Sequence, residues 1–152
     1  MKTVLLVSIF AIAITHLQAQ GDAKAAMEKT TKELYRVLNV SDKEQYKKFM
    51  KENYTKELLE KPVKLKTSTS DSDQPTKTEN SSAANLEAKV QMYSQLHDDF
   101  GDSKIVSVKQ TDNQMEMVLK APSGLTGTFT LVFTKSKPYL IERLGVQAEM
   151  GN

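Results

Sequence analysis

The stretch of sequence that decides the fold is residues 86–147, LEAKVQMYSQLHDDFGDSKIVSVKQTDNQMEMVLKAPSGLTGTFTLVFTKSKPYLIERLGVQ. Its first part repeats apolar residues every three or four positions, which is the spacing of one face of an α-helix. Gly101 follows this run and is typical of the residue just after a helix C-terminus. The remainder alternates apolar and polar residues, as strands do. The stretch therefore predicts one long helix, from about Asn85 to Phe100, followed by strands.

Three turn signals divide the second part into four strands. Asp112-Asn113 tolerates the positive φ of a tight hairpin, and Pro122-Ser123-Gly124 and Ser136-Lys137-Pro138 mark two further turns. Short connections join neighbouring antiparallel strands, so the sheet should be a meander. The predicted strands are residues 104–110, 114–120, 126–134 and 139–147.

The alternation within each strand assigns its side chains to the two faces of the sheet. The face expected to pack against the helices carries Val106, Val108, Met115, Met117, Leu119, Phe129, Leu131 and Phe133. The opposite face is β-branched and mildly polar, so it can meet either water or a second sheet. We therefore predict a homodimer contact on that face, through Thr128, Thr130 and Val132.

Two helices and a short turn are predicted ahead of this stretch. Ser41 and Glu44 match a capping box, Ser at the N-cap and Glu at N3, for a helix that ends near Asn53. Thr55 can cap the short turn that follows, and Pro62 ends it. The first helix covers about residues 23–38, with Met27, Leu34, Tyr35 and Leu38 on its apolar face.

Residues 67–84 have a different composition, dominated by Ser, Thr, Asp, Asn and Lys, with no large apolar side chain. Such a segment cannot bury enough surface to offset the entropy of ordering it. We therefore expect a long disordered polar loop there. Asp71-Ser72-Asp73 lacks the glycine and the distal Glu of a calcium loop, so no metal site is predicted in it.

The N-terminus has the pattern of an export signal. Lys2 gives a positive start, residues 4–14 are almost wholly apolar, and Leu17 and Ala19 fit positions −3 and −1 of a signal-peptidase site. This predicts a signal peptide over residues 1–19 and a periplasmic or secreted protein without a membrane anchor after cleavage. The apolar run is shorter than the roughly 20 residues that span a bilayer. An uncleaved anchor is the alternative.

Charge and cysteine content limit the partners and the compartment. The chain has 21 Lys and Arg against 19 Asp and Glu, a net charge of +2, which falls to +1 when Lys2 is removed. A nearly neutral chain has no strong field for nucleic acid or for an anionic membrane, so neither is predicted as a partner. Residues 20–152 suit a single domain that buries a core without disulfides. The chain has no cysteine, which favours a bacterial periplasm or cell surface over a eukaryotic secreted module.

Helices followed by an antiparallel meander predict an α+β domain, with the N-terminal helices and one long helix packed on a four-stranded sheet. This order resembles the cystatin-like cone of the nuclear-transport-factor-2-like superfamily. More narrowly, LHDDFG at 96–101, GTFTL at 127–131 and PYLIERLGV at 138–146 look like a small exported bacterial domain, often found attached to β-lactamase-type serine hydrolases. The resemblance covers about residues 23–147. It implies a fold but no catalytic signature, and the long polar insert before Leu86 departs from it.

Candidate chemistry centres on His97, the one histidine that remains after residues 1–19 are removed. Cysteine nucleophiles and His-pair metal sites are excluded, and no serine-hydrolase, P-loop or dinucleotide motif is present, so no cofactor or metal is predicted. The resemblance implies that enzymes of this fold commonly use a polar pair inside the cone, of which a histidine with a carboxylate is one version. Helical geometry turns Asp98 and Asp99 away from His97. We therefore favour a packed histidine, bonded to Tyr93 or to a backbone carbonyl, over a catalytic one.

Five inward residues are the candidate lining of a ligand pocket: Tyr93, His97, Met117, Phe129 and Phe133. They could equally fill an ordinary core, which their regular spacing favours. Two functions stay open. The first is an exported non-enzymatic module, dimeric or not, that binds a small apolar ligand or a protein partner. The alternative is a cone-fold isomerase, dehydratase or hydrolase that uses His97, and it requires an open cavity in which His97 faces a carboxylate or a tyrosine.

Overall fold

The computed structural model describes residues 5–63 and 82–150, with side chains described from residue 21 onward. The fold is α+β: helices followed by a four-stranded antiparallel sheet. Within the described ranges, no helix is long and apolar enough to cross a bilayer. The helices are α1 (Leu5–Leu38), α2 (Lys43–Asn53), α3 (Lys56–Glu60) and α4 (Ser82–Phe100), and the strands are β1 (Lys104–Thr111), β2 (Gln114–Lys120), β3 (Leu125–Phe133) and β4 (Ile141–Met150).

The sheet is the predicted meander. Its order is β1-β2-β3-β4, and each neighbouring pair is antiparallel. Asp112 lies in the predicted hairpin turn with a φ of 48°. Strand β2 has the predicted bounds, whereas β4 begins two residues later than predicted, at Ile141. Tyr139 has a φ of 40°, which a strand does not accommodate, so this residue belongs to the turn.

The hydrophobic core lies between the helices and one face of the two central strands. The six inward residues predicted on β2 and β3 are all at most 1% exposed, namely Met115, Met117, Leu119, Phe129, Leu131 and Phe133. The helices cover them with Leu34, Leu38, Tyr46, Met50, Val90 and Tyr93, each also at most 1% exposed. This shared burial is what fixes the helices on that face of the sheet.

The prediction that Val106 and Val108 share the inner face of β1 is wrong for Val106, and neither residue is buried as expected. Their side chains are 61% and 45% exposed. A register shift between Ile105 and Ser107 marks a bulge, after which Val108 pairs with Met117. Residues that pair across antiparallel strands share a face, so Ile105 and Val108 share the inner face and Val106 does not. Because β1 is an edge strand, the helices leave even this inner face partly open.

Two further sequence predictions are corrected at helix ends. The N-cap of α2 is Asp42 rather than Ser41, because the Asp42 side chain accepts the N–H groups of Glu44 and Gln45. Helix α4 begins at Ser82, so residues 82–84 are helical and not part of the predicted loop; residues 67–81 lie outside the described residues. The cap predicted at Thr55 is confirmed, since its hydroxyl accepts the N–H of Leu58 at 3.2 Å.

Helix α1 begins well before the predicted first helix and runs continuously to Leu38. It therefore includes most of the residues predicted to form the signal peptide, while residues 1–4 lie outside the described residues. Cleavage after Ala19 stays a prediction. From residue 21 onward α1 contacts α2, α4 and β2, and Met27, Leu34, Val37 and Leu38 on it are buried.

Candidate functional site

Four of the five residues predicted to line a pocket lie in the core. Tyr93, Met117, Phe129 and Phe133 are 0% exposed and belong to one hydrophobic cluster, whereas His97 lies at its rim and is half-buried. In the described part of the chain these four side chains pack against other side chains of the same cluster. That a ligand enters among them stays a prediction.

His97 is bonded to a backbone carbonyl. Its Nδ1 lies 2.8 Å from the carbonyl oxygen of Leu38. A carbonyl oxygen only accepts, so Nδ1 carries the proton and donates it. Leu38 is the last residue of α1, where carbonyls lack partners within the helix. His97 therefore closes the C-terminal end of α1 from the neighbouring helix.

Two more hydrogen bonds join the end of α1 to the residues that follow α4, and a third lies within the end of α1. The Tyr35 hydroxyl donates to the Ser103 carbonyl at 2.7 Å, and the Asp102 N–H donates to Asn39 Oδ1 at 2.8 Å. The Asn39 amide in turn donates to the Tyr35 carbonyl at 2.8 Å. His97 thus belongs to a set of contacts that hold two helix ends together. Its ring nitrogen Nδ1 meets neither a carboxylate nor a tyrosine.

Tyr93 is paired with another buried tyrosine. The hydroxyls of Tyr54 and Tyr93 lie 2.8 Å apart, and the two residues are 4% and 0% exposed. Burial raises the pKa of both phenols. Both therefore stay protonated at neutral pH and are unsuited to act as general bases. The rings of Tyr46 and Phe49 pack on Tyr93 with centroids 5.6 and 6.1 Å away, so the pair is part of the core.

Sequence reasoning missed a cleft between α3, α4 and β4. It has a volume of about 240 Å³. Leu58, Met92 and Leu144 contribute apolar walls, and Lys89, Glu142 and Arg143 contribute charge. Glu142 and Arg143 are exposed, whereas Lys89 is only 4% exposed. The cleft therefore combines an apolar lining with one buried cation, which are the ingredients of a small-molecule site.

Lys89 reaches the C-terminal end of α3. Its amino group donates to the carbonyl oxygens of Leu59, at 3.0 Å, and Lys61. One turn earlier on α4, the Asn85 amide donates to the Glu60 carbonyl at 2.6 Å. Burial lowers the pKa of Lys89. Asn85 and Lys89 are four residues apart on a buried helix face, and polar residues at that spacing were the one signal of this contact in the sequence.

The free edge of β1 is a second surface that the sequence did not indicate. Ile105, Val106 and Val108 are 42%, 61% and 45% exposed. A groove of about 350 Å³ separates Ile105 and Val108 from Lys24 and Lys32 on α1. Large apolar side chains exposed on both faces of an edge strand are typical of contact surfaces.

In the described ranges, no group of three or more His, Asp or Glu side chains is placed to hold a metal ion. Comparisons of the chain with protein-family models, with curated proteins and with solved structures found no match.

Proposed function

We propose that this chain is an exported, non-enzymatic interaction module that binds a protein partner along the free edge of β1. The observation that carries the proposal is the exposure of the three neighbouring apolar residues Ile105, Val106 and Val108. Among the described strands, β1 pairs with β2 alone, so its other edge offers N–H and C=O groups to an incoming strand. Strand addition uses these groups for affinity and the side-chain pockets for specificity.

The charges around this edge favour an acidic partner segment. Lys104 and Lys109 are exposed on β1 itself. Lys24 and Lys32 border the groove on one side, and Lys120 borders the cavity beside Val106. Among the described residues, Glu28 and Asp102 oppose them at the two cavities, Glu28 at 3.9 Å from Lys24, and Glu116 pairs with Lys109 across β1 and β2, so cations still outnumber anions along this edge. The partner we propose is therefore an extended segment that alternates apolar and acidic side chains. A second copy of β1 would bring lysines against lysines.

The non-enzymatic part of the proposal is supported by the contacts of His97 and Tyr93. A cone-fold isomerase, dehydratase or hydrolase would need His97 to face a carboxylate or a tyrosine. The ring instead donates to the Leu38 carbonyl, and the Tyr93 hydroxyl is engaged by Tyr54. Hydrogen bonds within the fold therefore account for His97 Nδ1 and the Tyr93 hydroxyl, and neither contact supplies the pair that such an enzyme would need.

We include in the same proposal that the sheet is of the cystatin-like kind and that the protein is exported. The element order and the two bulges, at Ile105/Ser107 and Val132/Phe133, support a bent sheet of the cystatin-like kind, because bulges bend the strand that carries them. The N-terminal signal pattern supports export to a periplasm or secretion. The resemblance to the small exported bacterial domain is consistent with both.

The homodimer predicted through Thr128, Thr130 and Val132 is a separate proposal about the outer face of the sheet. Thr128 and Thr130 are half-buried in the single chain, and Val132 is 9% exposed. The first two could therefore add buried area in a dimer, whereas Val132 has little left to bury. Sedimentation at micromolar concentration tests this, and a monomer would count against it.

A synthetic peptide tests the β1 proposal directly. We expect a fluorescent peptide of alternating valine and glutamate to bind the chain, and one of alternating valine and lysine not to bind. Val106→Ser removes apolar contact without adding charge and should weaken binding about tenfold, since a buried valine is worth roughly 1.5 kcal/mol or more. Met150→Ser is the matched control, because Met150 is an apolar residue 71% exposed on the opposite edge strand.

Two outcomes would contradict the proposal. Equal binding of the two peptides would show that the chain does not prefer an acidic segment. Equal effects of Val106→Ser and Met150→Ser would show that the peptide does not bind at the β1 edge. If the chain instead dimerises and Val106→Ser abolishes the dimer, the partner at this edge is a second copy and the acidic segment is wrong.

A further inference from the structure

The cleft between α3, α4 and β4 lies apart from the β1 edge. The cleft adjoins β4, and β4 and β1 are the two opposite edges of the sheet. A ligand in the cleft and a strand on β1 would therefore not compete for the same residues. What distinguishes the cleft is the Lys89 amino group, which is buried at an otherwise apolar wall.

Contacts within the protein account for only part of the Lys89 bonding capacity. An ammonium group has three N–H donors. Two are used by the carbonyls of Leu59 and Lys61 at the end of α3. In residues 21–63 and 82–150, no carboxylate lies within 4.0 Å of this amino group, so its charge has no paired anion there. A buried cation without a counter-ion is costly, and an anionic group entering the cleft would remove that cost.

We infer that the cleft binds the carboxylate end of a small amphiphile, with the Lys89 amino group recognising the carboxylate and the apolar walls holding the chain. A carboxylate oxygen matches the single remaining donor of Lys89. Leu58, Met92 and Leu144 provide the apolar contact that the rest of such a ligand requires.

The other charges at the cleft restrict the charge of the ligand. Lys61 and Arg143 are exposed cations at its rim, and Glu142 is an exposed anion beside them. With Lys89 the lining carries three positive charges against one negative, which favours anions over cations. The volume of about 240 Å³ lies below the roughly 300–1,000 Å³ of pockets for drug-sized ligands, so the ligand must be small.

Three eight-carbon probes separate charge from apolar contact. We expect octanoate to bind the full chain at neutral pH at least about tenfold more tightly than octanol, because a charge-assisted hydrogen bond adds to the same apolar contact. Octylamine should bind more weakly than octanol. Titration calorimetry measures the affinities. Amide and methyl shifts in NMR spectra should change at Leu58, Met92 and Leu144 and not on β1.

A pair of lysine variants then assigns the preference to one residue. Lys89→Met keeps the length of the side chain and removes its charge, so octanoate and octanol should bind it equally. Lys56→Met is the matched control, because Lys56 is an exposed lysine of α3 that pairs with Glu60 at 3.8 Å, and it should keep the preference. If Lys89→Met does not fold, Lys89→Arg keeps a cation and should keep the preference.

Three results would overturn the inference: equal binding of octanoate and octanol to the wild-type chain, tighter binding of octanoate than of octanol to Lys89→Met, and changes of NMR shifts outside the cleft. Absence of binding by all three probes at millimolar concentration would also overturn it. None of these results bears on the β1 edge, whose peptide experiment stands independently.

Discussion

The ring of Phe100 lies directly on Gly127. A Cβ added to Gly127 would come within 2.5 Å of two carbons of that ring, closer than side chains pack. Phe100 is the last residue of α4, and its ring also meets Phe129 edge-on with centroids 5.2 Å apart. Gly127 is buried in β3, between Leu119 and Ala148 on the neighbouring strands. The missing side chain therefore creates the place where the end of the long helix rests on the sheet.

Gly127→Ala should destabilise the fold, because the added methyl group must displace the Phe100 ring. Overpacking of a filled core typically costs about 1–3 kcal/mol in the free energy of unfolding. Gly145→Ala is the matched control on β4, where the nearest atom, Thr130 Cβ, lies 4.0 Å from the added carbon. That variant should stay within about 1 kcal/mol of the wild type. Urea unfolding measures both, and equal effects would contradict the contact.

The central strands were predictable from the sequence because both of their neighbours are strands and one of their faces is fully covered. Strict alternation at Met115, Met117 and Leu119 reflects that coverage, and all three are buried as predicted. The same reasoning failed on β1, where a bulge shifts the alternation by one residue and the inner-face residues Ile105 and Val108 stay 42% and 45% exposed. Alternation of apolar and polar residues predicts neither a bulge nor how far an edge strand is covered.

The candidate sites were less predictable than the fold because they depend on contacts between distant segments. His97 was expected to meet Tyr93 or a backbone carbonyl, and it meets the carbonyl of Leu38, 59 residues away. Lys89 was not singled out from the sequence. The end of α3 brings two carbonyl groups to its amino group, and the four-residue spacing between Asn85 and Lys89 signals a polar contact without indicating which segment provides it.

The paired hydroxyls of Tyr54 and Tyr93 should be coupled in stability. Tyr93→Phe leaves the buried Tyr54 hydroxyl without this partner, and Tyr54→Phe does the same to Tyr93, so each should cost about 1–3 kcal/mol. The double variant removes both polar groups and should cost less than the sum of the single changes. Urea unfolding of all four proteins measures the coupling energy. Strict additivity would show that the hydroxyls do not interact.

Alkaline pH should destabilise the fold through the same pair. An unfolded tyrosine ionises near its ordinary pKa of 10.0, whereas burial raises the pKa of both phenols in the folded state. Above about pH 10 the folded state therefore holds more protons than the unfolded state, and the free energy of unfolding falls as pH rises. Each buried tyrosine contributes up to about 1.4 kcal/mol per pH unit.

Urea unfolding between pH 9 and pH 11.5 measures that slope. The double variant with phenylalanine at 54 and 93 should show a shallower decline than the wild type, since groups common to both proteins cancel. Phenolate absorbance should rise for these two tyrosines only as the chain unfolds. Parallel declines in the two proteins would mean that the pair is not protonated and buried in the folded state.

His97→Ala should leave the fold intact and cost about 0.5–1.5 kcal/mol, the net worth of the hydrogen bond to the Leu38 carbonyl. Gln95→Ala is the matched control, because Gln95 is an exposed residue of the same helix and should change stability by less than about 0.5 kcal/mol. Thermal and urea unfolding provide the comparison. A loss of the folded state, or equal effects of the two changes, would contradict a bond that merely joins two helix ends.

The N-cap of α2 differs from the one that the sequence suggested. Ser41 and Glu44 have the spacing of a capping box, but Asp42 lies one residue closer to the helix and accepts the N–H groups of Glu44 and Gln45 at 2.9 and 3.4 Å. Because an aspartate caps as well as a serine, the helix begins one residue later, and Glu44 pairs with Lys47 instead of reaching back.

Asp42→Ala should therefore lower the melting temperature, while Ser41→Ala should leave it unchanged. Hydrogen bonds from the Gln45 side chain and from the backbone of Glu44 and Gln45 lower the pKa of the Asp42 carboxyl. Folding lowers the pKa of this carboxyl, so the carboxyl stabilises the folded state fully at any pH above its pKa in the unfolded chain. That stabilisation is lost as the pH falls through the lower pKa of the folded state. The difference between Asp42→Ala and the wild type should shrink on acidification. A larger effect of Ser41→Ala than of Asp42→Ala would show that Ser41, and not Asp42, is the N-cap of α2.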